Sequence, residues 1–250
     1  MSADEQGVVS VWARPARKRR ERLALDRGQI VAAAVALLDE QGLPALTMRG
    51  LATRMNVAAN ALYWHVANKD ELIELVVDEI YGEMSPPVAD DPARWGEAVS
   101  RCGHSARDVV LRHPWVASLL VGEVGVTHLG PNLMLLTDRM LTLLRAAGFD
   151  LAEADRAAKT VFTYVLGAAT SEAAALNKIT LAGDTEAEWL DALGPTLTQI
   201  TGPYPQLATL FDSLTGTDPR TTRDEQFDYG LRRLLDGLHV RLRQVTEQRP

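Results

Sequence analysis

Between Thr47 and Lys69 the chain gathers hydroxyls on Thr47 and Tyr63, an indole N–H on Trp64, an imidazole on His65 and an ammonium on Lys69. Groups of this kind beside a helix N-terminus bind phosphate oxygens and set register on a duplex without reading its sequence. Chemistry that reads bases stands among them. Arg49 can chelate N7 and O6 of guanine, Asn60 can pair with adenine, and Ala61 can pack on a thymine methyl. Blander readings stand beside these: Tyr63 and Trp64 as core aromatics, His65 as a packing histidine, Arg49 and Asn60 as solvated polar residues. None of them accounts for the ordered set.

Catalytic and metal chemistry have no comparable signal. HExxH, GxSxG and GxxxxGK[ST] are all missing, and no Cys/His cluster has metal spacing. His104, His113 and His128 are scattered and do not pair recognisably with Cys102, the single cysteine, which also rules out an intrachain disulfide. The expectation is therefore no enzyme, no catalytic residue, no metal and no cofactor.

Net charge over the 250 residues is −7, which by itself argues against a nucleic-acid partner. Its distribution argues the other way. Through Lys69 there are ten Lys/Arg and six Asp/Glu; from Asp70 onward there are 16 and 27. Between Arg14 and Arg22 six cations, Arg17, Lys18, Arg19 and Arg20 among them, meet only Glu21. A basic end on an acidic body suits one face that meets phosphate; the alternative for the basic run is a solvated tail. No apolar run reaches the roughly 18 residues of a membrane span. The acidic start MSADEQGVVS does not read as a signal peptide. A cytoplasmic protein without a membrane partner is expected.

These side chains need elements to position them, and the pattern is helical throughout. Residues 1–25 read as a flexible arm. Asp26 caps a helix with Ile30, Ala34, Leu37 and Leu38 on one face, ended by Gly42. A short helix is expected over Thr47–Met55, then Asn56 in a left-handed turn, a third helix over Ala58–Val66, and a fourth capped by Asn68. Ala52 lets the third helix cross the second closely, and Leu51, Met55, Val57 and Leu62 close a small core. Three short helices with this tight turn form a helix-turn-helix. The stretch from Ser85 through Pro86 and Pro87 to Pro92 reads as a hinge. Helices follow over Trp95–Arg112, Pro131–Ala147 and Leu151–Leu176, the last apolar on nearly every side in its middle. Ile179 to Pro219 reads as loop with one short helix capped by Thr185 and Glu188. A final helix starts near Thr222 or Glu225 and carries the stripe Phe227, Leu231, Leu234, Leu235, Leu238, Leu242. The fold class is all-α, with a helix-turn-helix unit at 26–70 and a second helical domain at 71–250.

The run from Leu25 to Ile80 resembles the tetracycline repressor family, most specifically at Ala61-Leu62-Tyr63-Trp64-His65-Val66 followed by Asn68-Lys69-Asp70-Glu71-Leu72. The ending around Phe227, Gly230, Leu231 and Gly237 also resembles the branch that contains the tetracycline repressor itself. The resemblance implies that Thr47, Tyr63, Trp64, His65 and Lys69 hold the DNA backbone or set up the helix that does. It implies that the Arg14–Arg22 arm reaches a minor groove, as basic extensions do in some members. Ala58 departs from the usual polar cap, and Met48 and Gly50 replace more polar types, so the operator does not carry over.

For the remaining helices the resemblance implies dimerisation through 151–176 and 225–242, with a cavity for a small-molecule effector among the others. Residues expected near that cavity are Cys102, Trp115, Leu119, Leu120, Asn132, Phe162 and Thr163, apolar and aromatic walls with a few polar points; each also reads as plain core. Where the tetracycline repressor has Asn, Phe and His in its pocket, the matching positions are Cys102, Ala106 and Leu120, which supply no oxygen set for magnesium. The expected function is a ligand-responsive repressor. The alternatives are an activator or ligand-independent regulator on the same fold, or a helical enzyme whose helix-turn-helix no longer binds DNA.

Overall fold

A computed structural model describes residues 25–122 and 130–247. The arm with Arg17, Lys18, Arg19 and Arg20, and also His128, lie outside them. Among the described residues the regular elements are helical, numbered here α1 to α11, with two short 3-10 turns at Leu43–Ala45 and Pro92–Arg94.

Local chemistry sets the N-terminal helices. Asp26 Oδ1 accepts from Gln29 N at 2.8 Å, and Gln29 Oε1 accepts from Asp26 N at 3.1 Å, so the start of α1 (Arg27–Gln41) is closed by a reciprocal cap. Gly42, at φ 71°, stops it. Thr47 Oγ1 caps α2 (Met48–Arg54) by accepting from Gly50 N at 3.0 Å. Asn56, at φ 53°, makes the sharp turn into α3 (Ala59–Tyr63), which is shorter than its expected span and continues as turn through Trp64 and His65. Ala58 gives α3 no side-chain cap. Asn68 Oδ1 accepts from Glu71 N at 2.8 Å and starts α4 (Lys69–Glu83).

The expected hinge ends α4 and is then pinned to the next helix. Ser85 N donates to Ser105 Oγ at 2.9 Å, and Arg101 Nη2 donates to Val88 O at 3.0 Å. Next come α5 (Trp95–Arg112), α6 (Val116–Gly122), α7 (Pro131–Ala147) and α8 (Leu151–Ala182). Helix α6 has no counterpart in the sequence pattern; the Pro114 that stops α5 leads directly into it. Helix α8 runs to Ala182 rather than Leu176, where Gly183 at φ 84° ends it. The expected mixture of loop and one short helix is in fact two helices, α9 (Glu186–Thr201) and α10 (Pro205–Leu214). The Thr185/Glu188 cap is present, and Pro205 is the first residue of a helix rather than part of a loop. Helix α11 (Pro219–Glu247) starts a turn earlier than expected, where Asp218 Oδ2 accepts from Thr221 N at 3.0 Å.

One hydrophobic core joins these helices, from Ile30 and Leu51 through Leu72, Trp95 and Val110 to Val165 and Leu231. Helices α5 and α8 pack along each other at its centre. Expected burial around all of α8 holds for one side in the single chain. Ala157, Ala158, Val161, Val165 and Ala169 are buried, while Thr163 and Gly167 are exposed. Helices α9 and α10 touch each other more than anything else and leave Trp189, Ile200, Tyr204, Leu207 and Leu210 exposed.

Candidate nucleic-acid interface

Leu51, Ala52, Leu62 and Val66 are buried between α1, α2, α3 and α4, with Met55 and Val57 packed at the edge. That small core turns the other side of α3 outward. Tyr63 is 48% exposed and Trp64 is 75% exposed, which excludes the core-aromatic alternative for both. Arg49 and Asn60 are exposed on α2 and α3, and Ala61, His65 and Lys69 are half-buried around them. Lys69 opens the fifteen-residue α4, where free backbone N–H groups already favour an anion. Thr47 spends an oxygen lone pair on its cap to Gly50, and its O–H remains to donate to a phosphate.

The end of α3 is braced from both sides. Arg27 Nη2 donates to His65 O at 3.1 Å and stands 3.7 Å from Glu71 Oε1. Glu71 Oε2 accepts from Ala67 N at 3.1 Å. Arg54 is taken up by Glu40, Nη1 to Oε2 at 2.6 Å and Nη2 to Oε1 at 2.5 Å. The hydrogen bond from Arg54 holds the Glu40 carboxyl below the usual carboxylate range. Arg54 is therefore a brace between α2 and α1, whereas Arg49 points its charge outward.

This N-terminal head meets the second domain at the corner between α5 and α6. Trp115 Nε1 donates to Asp39 Oδ1 at 2.6 Å, and His113 Nδ1 stands 2.6 Å from the same oxygen. His113 Nε2 lies 3.2 Å from Glu83 Oε2 at the end of α4, and Arg112 Nη1 reaches that oxygen too, at 2.5 Å. No local pattern announces this junction, because its partners are 74 and 76 residues apart in the chain.

The residues expected around an effector fall in different places. Cys102, Trp115 and Leu120 are buried in the core, and burial pushes the Cys102 thiol up to about 11. Leu119 and Phe162 are half-buried and Thr163 faces outward. Asn132 serves the fold: its backbone N donates to Asp78 Oδ1 at 3.1 Å, and its Nδ2 donates to Asp78 O at 3.0 Å. An open cleft of about 490 Å³ lies elsewhere, walled by Arg94, Gly96, Arg101, Leu235 and His239 between α5 and α11.

A polar cluster that the sequence does not reveal ties α5, α8, α9 and α11 together. The buried Arg107 meets Glu172 and also Asp224, Nη2 to Oδ1 at 2.7 Å. Arg223 Nε donates to Glu172 Oε1 at 2.9 Å, and Arg223 also pairs with Glu186. Arg107 lies over the Phe227 ring at 4.9 Å, and the Phe227 carbonyl accepts from Tyr164 Oη at 2.8 Å.

Residues 30–76 match the family model described as bacterial regulatory proteins, tetR family, and residues 87–242 match the tetracyclin repressor-like C-terminal domain. A transcriptional regulator of the helix-turn-helix type from Saccharopolyspora erythraea is 34% identical, over 95% of this chain and 94% of its own. The transcriptional repressor DrrR1 of Streptomyces coeruleorubidus is 33% identical, over 91% of this chain and 81% of its own. The structure of ActR from Streptomyces coelicolor in complex with actinorhodin superimposes with a TM-score of 0.70 at 30% identity, covering 87% of this chain and 98% of that one.

Proposed function

The chain belongs to the tetR family of bacterial regulatory proteins, and from that premise we propose a homodimeric repressor whose α3 face binds operator DNA and whose C-terminal helices answer to a small molecule. The observation that carries the reading is the exposure of Tyr63 and Trp64 at the end of a recognition helix anchored in the core by the fully buried Leu62. Two large aromatics kept in water beside Thr47, His65 and Lys69 suit the sugar-phosphate backbone of a major groove. Arg49 and Asn60, both exposed, and the half-buried Ala61 are the candidates for base contacts. The family consists of transcriptional regulators, and we assign this chain no catalytic role.

The open sides of α8 and α11, with Thr163, Gly167, Tyr229, Gly237 and Val240 exposed, are proposed to meet a second copy. Two copies present two α3 helices to half-sites about 34–36 Å apart. The effector is proposed to be a large, mainly apolar molecule of antibiotic type; ActR, at 30% identity, has been seen in complex with actinorhodin. Cys102, Ala106 and Leu120 are buried and supply no oxygen ligands, which speaks against a tetracycline held through magnesium. Release requires that the effector bind more tightly to a state whose α3 helices no longer match both half-sites; equal binding to both states would shift nothing. Among the described residues no helix is long and apolar enough to cross a membrane, and action on DNA in the cytoplasm is the proposed setting.

The test is a fluorescence-anisotropy titration of the DNA upstream of the chain's own gene and of its neighbours. Wild type and Tyr63→Ala are compared at two salt concentrations. Tight, salt-sensitive binding lost in the variant supports the reading. A folded dimer that binds none of these fragments above competitor DNA, nor any genomic fragment in selection, would sink it.

A further inference from the structure

Asp39 lies in the last turn of α1, an element of the N-terminal head, yet both of its side-chain partners come from the other domain. Both meet one atom. Trp115 Nε1 donates to Oδ1 at 2.6 Å and His113 Nδ1 stands 2.6 Å from the same oxygen, and a carboxylate oxygen can accept from both. The two donors flank Pro114 at the α5–α6 corner, with rings 6.0 Å apart at 64°, and both are buried. The Asp39 side chain itself is 34% exposed. Anchorage is therefore asymmetric: two buried donors fixed in the C-terminal domain hold one more open carboxylate of the head.

The same corner grips the head's other connection. His113 reaches Glu83 at the end of α4 through its second ring nitrogen, and Arg112 pairs with that carboxylate as well. The α5–α6 corner thus grips both α1 of the head and the end of α4 through three residues that flank one proline, Arg112, His113 and Trp115. If the head swung away, buried N–H groups on His113 and Trp115 would lose their acceptor, a loss no intermediate position relieves. Such a contact is made or broken; it does not stretch. Trp115 is also the last residue before α6, which carries Leu119 and Leu120, so a shift of α6 moves the donor directly.

We propose that Asp39 is the positioning residue through which the C-terminal domain sets the angle of the DNA-binding head, with Trp115 and His113 as its two holders. The reading of α3 as the DNA-contacting helix supplies the consequence: the angle fixes the separation of the two recognition helices. Asp39 itself touches no DNA in this scheme.

Nitroxide labels on Ala32→Cys, an exposed α1 position, report the head-to-head distance in the full-length dimer by pulsed electron resonance, since Cys102 is buried. The labelled parent is expected to give one narrow distance. Asp39→Ala is expected to broaden it at least twofold while helicity is retained, and Asp39→Asn, which keeps an acceptor for the indole, to fall between. Trp115→Phe removes one N–H with little change of volume and covers the case in which Asp39→Ala does not fold. On DNA, the parent is expected to lose more than tenfold in affinity when half-site spacing is changed by one base pair. Asp39→Ala is expected to lose less than threefold and to bind an isolated half-site as well as the parent does. Unchanged distance widths in folded Asp39→Ala and Trp115→Phe would overturn the proposal. A parent that binds no DNA would overturn the regulator reading instead and leave the distance measurement standing as the test of Asp39.

Discussion

The guanidinium of Arg107 and the carboxylate of Glu172 form a two-pronged pair across α5 and α8, Nε to Oε2 at 2.7 Å and Nη2 to Oε1 at 2.8 Å. The side chains are 6% and 10% exposed, so neither charge is freely hydrated. Hydrogen bonding to Glu172 raises the already high basicity of Arg107. Removing one partner breaks a buried ion pair, which costs up to about 3–5 kcal/mol, less the share that Asp224 still supplies to Arg107. Glu172→Leu is expected to lower stability by that amount in urea unfolding of the dimer. The double substitution Arg107→Met with Glu172→Leu is expected to recover much of it. A double variant as unstable as the single one would mean that the pair's geometry, not its charge balance, carries the effect.

Trp64→Ala removes a side chain that lies mostly in water and is expected to move the unfolding free energy by no more than about 0.5 kcal/mol, and Tyr63→Ala, half exposed, by no more than about 1 kcal/mol. DNA affinity is expected to fall at least tenfold for each, uniformly across operator variants, because backbone contacts carry no sequence preference. Arg49→Ala is expected to behave differently: affinity for the best operator falls by about 1–3 kcal/mol while discrimination at one base position disappears. Anisotropy titrations over a set of single-base operator variants separate the two patterns.

Asp78 gives a pH signature of unusual sign. Burial raises its carboxyl above the ordinary value, against the lowering effect of the backbone N–H groups of Leu133 and Asn132. Both amides reach Oδ1, at 3.1 Å each, so a proton on Oδ2 leaves the cap of α7 in place. A folded value above the unfolded one means that the stabilising contribution is full at pH below the unfolded value and is lost as pH rises through the folded value. The stability of wild type relative to Asp78→Asn is therefore expected to increase on acidification through the carboxylate range. Glu153 runs the opposite way, because hydrogen bonding to Arg241 lowers its carboxyl; its contribution fades as pH falls. Parallel melting curves for Asp78→Asn and Glu153→Gln between about pH 3 and pH 7 should diverge in opposite directions; parallel slopes would contradict the assignment.

Three helical glycines are expected to respond differently to substitution. A Cβ on Gly230 would collide with the Tyr164 phenol and push it off the Phe227 carbonyl, so Gly230→Ala should cost about 1–3 kcal/mol. Gly167 and Gly237 have open space around them within one chain. Alanine there would gain about 1 kcal/mol of helix propensity if the site stayed in water. Leucine at either position is expected to weaken dimerisation more than tenfold in sedimentation equilibrium, because the proposed partner's helices close on those faces. An undisturbed dimer in both leucine variants would place the interface elsewhere.

Legibility in the sequence followed the range of the interactions. Asp26, Gly42, Asn56, Asn68 and the Thr185/Glu188 pair act within a few residues of themselves, and each stands where the local pattern put it. Helix α10 escaped because Pro205 and the nearby glycines read as loop chemistry, although proline is well suited to the first turn of a helix. Helix α6 was hidden by the proline that ends α5. The candidate DNA-binding residues stand out in the sequence because Tyr63 to Lys69 form one contiguous run. The pairing of Asp39 with His113 and of Arg107 with Glu172 does not, since the partners are 74 and 65 residues apart in the chain. The expected effector residues mark the same boundary. Apolar type is visible in the sequence, but whether Cys102 or Thr163 faces inward depends on how α5 and α8 are rotated against their neighbours.

Helix α8 has 32 residues, about 48 Å at 1.5 Å per residue, and touches α5, α6, α7, α9 and α11 along its length. It works as a beam with five attachments. A tilt of about 2° at one end of such a beam displaces the other by about 1.7 Å, comparable to the helix shifts that switch packed interfaces. A displacement at one end of α8 is thereby carried across the whole domain, on a scale set by the length of the helix.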